Sequence, residues 1–152
     1  MRFGRIFALV AGGLALCIAL LLLAVFVTRD EDNIQADNLL AERFTKAIAL
    51  APENDDGKVD LREVAPFDWD RVLLVQAGTP RAAISRRLGR EWTGIDTVDG
   101  GDLLIFLNGA DVVRFADYRG SNTFEGFERP FAELPKEAAV LDVRDRVVSP
   151  HS

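Results

Sequence analysis

Leu103-Leu104-Ile105-Phe106-Leu107 runs directly into Asn108-Gly109, and the fold prediction for this chain starts from these seven residues. The apolar run predicts a strand, and Asn-Gly is the strongest short signal for a β-hairpin. Residues 112–118 follow the turn and predict the returning partner strand. The stretch therefore predicts two antiparallel strands that are joined by a tight turn.

Further strands are predicted on both sides of this hairpin. Upstream, residues 67–76 contain Val72-Leu73-Leu74-Val75, and such a run suits a strand that is covered on both faces or lies near the sheet centre. Downstream, residues 138–143 predict a last strand, after a long aromatic loop over residues 119–135. Residues 59–64 predict a short strand or a helical turn.

A first helix is predicted between Asp37 and Pro52. Leu40, Phe44 and Ile48 recur every four residues, which places them on one helix face. Asp37 is a suitable N-cap residue, and Pro52 follows the end of the pattern. We expect this helix to lie against the sheet.

A second helix is predicted between Thr79-Pro80 and Gly89. Thr79 suits the N-cap, Pro80 suits the first helical position, and Gly89 stops the helix. The order helix, strand, helix, hairpin, strand predicts an α+β domain. We expect a mainly antiparallel sheet with the two helices packed on one face.

Residues 6–27 form an apolar run of 22 residues without a charge, long enough to cross the hydrocarbon core of a bilayer as a helix. The alternative is a cleaved signal peptide, which has a shorter apolar region and small residues at its cleavage site. Small residues in that pattern are missing at Ala24-Val25-Phe26-Val27. The sequence therefore favours an uncleaved signal-anchor helix.

Charged residues beside this anchor predict its orientation. Arg2 and Arg5 precede it, whereas Arg29-Asp30-Glu31-Asp32 follows it. The positive-inside rule then predicts a single-pass protein of the inner or plasma membrane, with a cytoplasmic N-terminus. The predicted parts are a cytoplasmic stub (1–5), the anchor (6–27), a linker (28–36), a periplasmic or extracellular α+β domain (37–148) and a flexible tail (149–152).

The chain beyond the anchor is acidic. It holds 16 Lys plus Arg and 24 Asp plus Glu, which gives a net charge of −8. Nucleic-acid binding needs a basic surface, so this balance argues against nucleic acid as a partner. The same balance gives no overall attraction to anionic lipid.

Familiar catalytic constellations are not predicted. The single histidine, His151, lies next to the C-terminus, and the single cysteine, Cys17, lies within the predicted anchor. These positions argue against Ser-His-Asp and Cys-His arrangements and against metal sites built from histidine and cysteine. We therefore expect no catalytic residue, no metal site and no cofactor.

One acidic segment partly matches a calcium-binding loop. With Gly57 at the sixth loop position, Asp60 falls at the ninth and Glu63 at the twelfth. Pro52 then stands at the first position, where the loop needs aspartate. We favour a solvated turn over a cation site.

Asp68 and Asp70 flank Trp69 at strand spacing, so their carboxylates are expected on one face. A hydrolase of the glycosidase type would need another acidic group opposite them, across a cleft. We favour an exposed acidic face with Trp69 packed inward.

Two segments are candidates for partner binding. The long loop contributes Arg119, Ser121, Asn122, Phe124 and Phe127, because long loops in small domains are often functional. Packing of its phenylalanines over the sheet edge is the alternative. A possible basic patch, more typical of an exposed helix face, consists of Arg81, Arg86, Arg87 and Arg90.

Two stretches of the chain carry a family resemblance. The first is Phe67-Asp68-Trp69-Asp70-Arg71-Val72, followed by Thr79-Pro80 and a short helix ending in Leu88-Gly89. The second is Leu104-Ile105-Phe106 with its hairpin, followed by Tyr118-Arg119-Gly120-Ser121-Asn122-Thr123-Phe124. Residues 57–145 resemble a group of small, uncharacterised bacterial envelope proteins that are membrane- or lipid-anchored. The short helix before a sheet is also similar to the SmpA/BamE and beta-lactamase-inhibitor-protein type of α+β domain, which implies a binding or assembly fold and carries no functional residue.

The function expected from these features is non-enzymatic. We expect a membrane-anchored protein whose extracytoplasmic domain binds another envelope protein. An extracytoplasmic sensor of a small ligand or cation, and a carboxylate-dependent hydrolase, remain as alternatives. A binding module should expose an apolar patch near Phe124 to Phe131.

Overall fold

The computed structural model describes residues 36–53, 57–97 and 100–151. The predicted anchor over residues 6–27, its flanking charges and most of the linker lie outside these ranges. Within them, no helix combines the length and the apolar character that crossing a bilayer requires. The helices are α1 (Asn38–Leu50), α2 (Leu61–Val64) and α3 (Arg81–Leu88). The strands are β1 (Lys58–Asp60), β2 (Arg71–Val75), β3 (Asp102–Asn108), β4 (Asp111–Tyr118), β5 (Thr123–Phe124), β6 (Phe131–Pro135), β7 (Val140–Arg144) and β8 (Val147–Pro150).

The strands described form two sheets of four, so the predicted α+β class is confirmed. Sheet A has the order β4-β3-β2-β6, and all of its neighbouring strands are antiparallel. Sheet B has the order β1-β7-β8-β5, with a parallel pair between β5 and β8. The expectation of a single sheet is therefore wrong. The segment 119–135, predicted as a long aromatic loop, contains strands β5 and β6.

The predicted hairpin is confirmed as the pair β3–β4. Asn108 pairs with Asp111, so Gly109 and Ala110 form a two-residue loop. Gly109 has a φ of +59°, a left-handed conformation that glycine adopts without steric cost. A register shift between Phe106 and Leu107 interrupts the pairing.

Sheet A is covered on both faces, which corrects the prediction that both helices pack on one face. Leu104 and Phe106 of β3 share a buried cluster with Phe44 of α1. Leu103, Ile105 and Leu107, also on β3, share a second cluster with Ile84 of α3 and Trp92. Side chains alternate across a strand, so an unbroken apolar run needs cover on both sides. The two longer helices accordingly lie on opposite faces of sheet A.

The start of α1 agrees with the sequence prediction. Asp37 accepts a hydrogen bond from the Leu40 backbone N–H at 2.9 Å, as an N-cap residue does. Leu40, Phe44 and Ile48 are its buried residues. The helix therefore follows the periodicity of the sequence residue by residue.

The start of α3 differs from the prediction. Pro80 is the N-cap residue and makes no side-chain capping bond, so Thr79 is not the cap. The Thr79 hydroxyl instead donates to the Gln76 carbonyl at 2.6 Å, and this side chain is buried. Gly89 ends the helix in the left-handed conformation with φ +70°, as predicted.

The predicted flexible tail also needs correction. Residues 147–150 form β8, which lies between β7 and β5 in sheet B. Asp145 and Arg146, with φ values of +48° and +70°, form the turn that joins β7 to β8. Neither residue is a glycine, so no local signal predicts this tight turn.

Candidate functional site

A groove of about 270 Å³ lies between sheet A and the segment 122–130. It opens where β2 ends and the antiparallel strand β6 begins, and the segment between β5 and β6 forms its outer wall. Its lining residues are Leu74, Val75, Gln76, Ala77, Asp102, Asn122, Thr123, Phe124, Phe127, Glu128, Arg129, Pro130 and Ala132. The groove combines apolar and polar lining residues in one concave site.

The floor of the groove is apolar and held by the sheet. Leu74 and Ala132 face each other across the β2–β6 pair, and both are nearly buried. Both belong to the same core cluster as Phe44. The floor is therefore part of the folded core.

The aromatic wall is fixed by packing against the interior. The rings of Phe124 and Phe127 lie 6.0 Å apart, and Phe124 meets the Tyr118 ring edge-on at 5.5 Å. Phe124 also stacks on Phe44 of α1 at 6.4 Å. These contacts hold the wall at a fixed distance from the floor, so the groove exists before any partner arrives.

Hydrogen bonds hold the polar groups of the groove in place. Arg129 Nη2 donates to the Phe124 carbonyl at 2.8 Å, which ties the two ends of the wall together. The Ala77 backbone N–H donates to Asp102 Oδ1 at 2.9 Å. The Tyr118 hydroxyl donates to Asn122 Oδ1 at 2.7 Å, and burial raises the pKa of Tyr118, so the hydroxyl keeps its proton at neutral pH. The groove thus offers an apolar floor with a polar rim.

Some of the predicted loop residues meet at this groove and others do not. Asn122, Phe124 and Phe127 line it. Arg119 pairs with Asp117 at 2.5 Å, and Ser121 accepts a long hydrogen bond from Arg146 at 3.5 Å. Neither residue lines the groove. The remaining lining residues come from β2 and the two residues after it, from β3, β5 and β6, and from the segment 128–130. No local sequence signal marks them, because only the fold brings these elements together.

The predicted apolar patch near residues 124–131 does not take the expected form. Phe124, Phe127 and Phe131 are each half-buried against a core cluster. The large apolar side chains that are most exposed among the described residues are Leu39, Leu50 and Val113. The phenylalanines therefore pack, and they leave a groove where a flat patch was expected.

The four arginines of the predicted basic patch have different surroundings. Arg87 pairs with Glu133 at 2.9 Å, and Arg90 lies 3.6 Å from Asp111. Arg81 donates to the Gly94 carbonyl at 3.1 Å. Arg86 alone has no hydrogen bond or ion pair to the residues described. Two of the four charges are thus compensated by neighbouring carboxylates.

The predicted acidic candidates have structural partners. Trp69 is buried between two exposed carboxylates, as predicted. Asp70 accepts a hydrogen bond from the Gly109 backbone N–H at 2.7 Å and pairs with Arg71 at 3.1 Å. Asp68 and Asp70 precede β2, which begins at Arg71, so they do not lie on a strand.

The calcium-loop candidate falls partly outside the described residues, because residues 54–56 lie there. Inside the described ranges, Asp60 caps α2 and contacts the Arg62 guanidinium with both carboxylate oxygens. The hydrogen bond from Arg62 lowers the pKa of Asp60. No group of three or more potential metal ligands occurs among the residues described.

Comparison of the chain with protein-family models, with curated proteins and with solved structures gave no match.

Proposed function

We propose that this chain is a non-enzymatic, single-pass membrane protein whose extracytoplasmic domain binds another envelope protein. The binding site is the groove between sheet A and residues 122–130. An apolar or aromatic side chain of the partner enters the groove, and partner polar groups meet the rim.

The main support for this proposal is the pre-formed groove itself. Its volume of about 270 Å³ lies just below the usual range for small-molecule pockets, which begins near 300 Å³. A space of this size suits one or two protein side chains. Protein interfaces commonly derive their affinity from a few anchor side chains that fill pockets of this kind. The polar rim would satisfy the backbone groups beside such an anchor.

The second candidate function is a sensor of a small ligand in the same groove. Asp102 and Glu128 place two carboxylates in its lining, so a small cationic or hydrogen-bonding ligand is the suitable class. Such a ligand would raise the melting temperature of the protein, since it binds only the folded state. A thermal-shift screen of small amines separates this candidate from the protein-binding proposal.

Site-specific photo-crosslinking in cells tests the proposal directly. A photoreactive residue replaces Glu128 at the groove, and a matched one replaces Glu137, which is exposed and lies outside the lining. We expect a discrete adduct with one envelope protein from position 128 only. Ala132→Leu fills the floor of the groove and should abolish that adduct, and a cooperative urea transition of the variant shows that the loss is not due to unfolding. Equal adducts from both positions, or an adduct that survives Ala132→Leu, would contradict the proposal.

Membrane topology has a separate test. A periplasmic alkaline phosphatase reporter fused after Ser152 should be active, and a reporter that requires the cytoplasm should be inactive. The opposite result would reverse the proposed orientation and place the domain inside the cell.

A further inference from the structure

The outward face of α1 carries a stripe that the groove does not use. Leu39, Arg43, Lys46 and Leu50 are spaced by four, three and four residues, which places them along one side of a helix. All four are exposed, and Leu39 and Leu50 are 55% and 43% accessible. We call these four residues the α1 stripe. Its two ends are apolar, and its middle is cationic.

A second concave surface extends the α1 stripe. Arg43, Lys46 and Leu50 line a cavity of about 330 Å³ together with Lys58 of β1. The acidic residues in the same lining are Asp60 and Glu63. Asp60 is bound by Arg62 at 2.5 Å, so Glu63 is the acidic group that remains to oppose three cations.

The three cations are not paired with carboxylates among the residues described. Arg43, Lys46 and Lys58 form no ion pair within these ranges, although the chain beyond the predicted anchor carries a net charge of −8. A local positive surface on an acidic domain attracts anions to that face, and this one lies on the helix that directly follows the predicted anchor and linker. This charge distribution therefore favours one orientation toward an anionic surface.

We propose that the α1 stripe and Lys58 dock on the anionic lipid headgroups of the membrane to which the chain is tethered. The cations contact headgroup phosphates, and Leu39 and Leu50 insert at the boundary with the acyl chains, as apolar residues of interfacial helices do. This inference rests on the membrane anchor of the proposed function and concerns a different surface from the groove.

The length of chain before α1 is consistent with this docking. The nine residues 28–36 separate the predicted anchor from Asp37. Even fully extended, they span at most about 32 Å, so α1 begins near the headgroups of the same membrane. Lipid is therefore the anionic surface present at the highest local concentration around the stripe.

Fluorescence quenching in vesicles tests the docking. The full-length chain, with Cys17→Ser and Leu50→Cys, is labelled at position 50 and reconstituted into vesicles that contain brominated lipid. We expect quenching in vesicles with about one-third phosphatidylglycerol and little quenching in pure phosphatidylcholine. Each cation near an anionic surface strengthens binding roughly fivefold, so Arg43→Gln with Lys46→Gln should weaken docking about 25-fold.

Matched controls make each outcome decisive. Arg86→Gln with Arg144→Gln removes the same charge from exposed positions elsewhere and should leave the quenching unchanged. A label at Val113→Cys, exposed on β4, should not be quenched. Equal quenching in neutral and anionic vesicles, or indifference to Arg43→Gln with Lys46→Gln, would overturn the proposal. Energy transfer between labels without lipid quenching would identify a second copy of the chain as the occupant and would also overturn it.

Alkaline extraction of the same vesicles tests separately whether the chain is anchored in the bilayer. A chain that resists extraction but shows no quenching retains its anchor and lacks the docking. A chain that is extracted lacks the anchor on which both proposals depend.

Discussion

Trp69 connects three parts of the fold through one side chain. It is only 3% exposed, its ring lies edge-on to Phe106 of β3 at 5.1 Å, and its Nε1 donates to the Ala65 carbonyl at 2.9 Å. The Lys136 ammonium lies 5.2 Å from the ring centre. The ring therefore fills core volume and also gives the Ala65 carbonyl a second hydrogen bond, beside the one from the Phe67 backbone N–H.

Substitution of Trp69 tests this role. Trp69→Ala should lower the free energy of unfolding by about 3–5 kcal/mol, because it leaves a large cavity and removes one of the two hydrogen bonds to the Ala65 carbonyl. Trp69→Phe keeps an aromatic ring against Phe106 and should lose less, about 2 kcal/mol. Urea unfolding followed by circular dichroism gives both values. A Trp69→Ala protein as stable as the parent would show that the ring is not buried in solution.

At the scale of elements, α1 is fixed at its first turn by a carboxylate with two partners. Asp37 accepts from the Leu40 N–H, and Arg114 Nη1 of β4 lies 2.6 Å from its other oxygen. Burial alone would raise the pKa of Asp37, but the Leu40 hydrogen bond and Arg114 hold it below the ordinary value of 3.8. The ionised carboxylate is therefore the form that the fold prefers.

The pH dependence of stability follows from this preference. The contribution of Asp37 should be complete above pH 3.8 and should disappear as the pH falls through the lower pKa of the folded state. Asp37→Ala should therefore cost about 1 kcal/mol at pH 7 and progressively less below pH 4. Urea unfolding at a series of pH values measures the difference. Asp68→Ala, at an exposed position, serves as the control. If the loss of stability caused by Asp37→Ala grows as the pH falls, the stabilising role of the ionised Asp37 carboxylate is contradicted.

The turn between β7 and β8 contains a residue whose substitution should stabilise the protein. Arg146 adopts φ +70°, which costs an L-residue about 1–2 kcal/mol and costs glycine nothing. Glycine loses about 0.5–1 kcal/mol through its greater freedom in the unfolded chain. Arg146→Gly should thus raise the free energy of unfolding by about 0.5–1 kcal/mol.

The neighbouring position provides the control for this turn. Arg144→Gly lies in strand β7, without a positive φ, and should destabilise the protein by about 0.5–1 kcal/mol. Chemical denaturation of both variants against the parent measures the two effects. A loss of stability in both would show that Arg146 does not adopt the left-handed conformation in solution.

At the scale of the whole molecule, the C-terminal strand holds sheet B together. β8 pairs with β7 on one side and with β5 on the other, and its Val148 is fully buried. β5 in turn carries Phe124, which forms the wall of the groove. Strand β8 therefore supports the candidate site, although it is distant in sequence from the residues that line the groove.

Truncation tests this dependence. A chain that ends at Arg144 lacks β8 and should lose its cooperative urea transition, because β5 and the buried face of sheet B lose their partner. A chain that lacks only Ser152 should unfold like the parent. Tryptophan fluorescence during urea titration distinguishes the two, and a cooperative transition in the shorter chain would contradict the role of β8.

Deletion of residues 119–135 would not be a specific test of partner binding at the groove. That segment includes β6, which pairs with β2 along its whole length. Its removal would expose the edge of a buried central strand and would destabilise sheet A. Point substitutions at Glu128 and Ala132 examine the groove without this loss.

The sequence by itself determined the elements whose signals are local. Asp37 with Leu40, Phe44 and Ile48 predicted α1, and Asn108-Gly109 predicted the β3–β4 hairpin. Caps, turns and periodicity depend on neighbours a few residues apart, so they can be recognised without a fold. The buried Trp69 followed from the same kind of reasoning.

Only the tertiary structure decided which elements meet. The choice between one and two sheets, and between one and two helix-covered faces, depends on contacts between residues far apart in the chain. The groove shows the same dependence, because its lining comes from residues 74–77, 102 and 122–132. Such contacts leave no periodic signal within any single segment, since each is selected by the packing of the whole core.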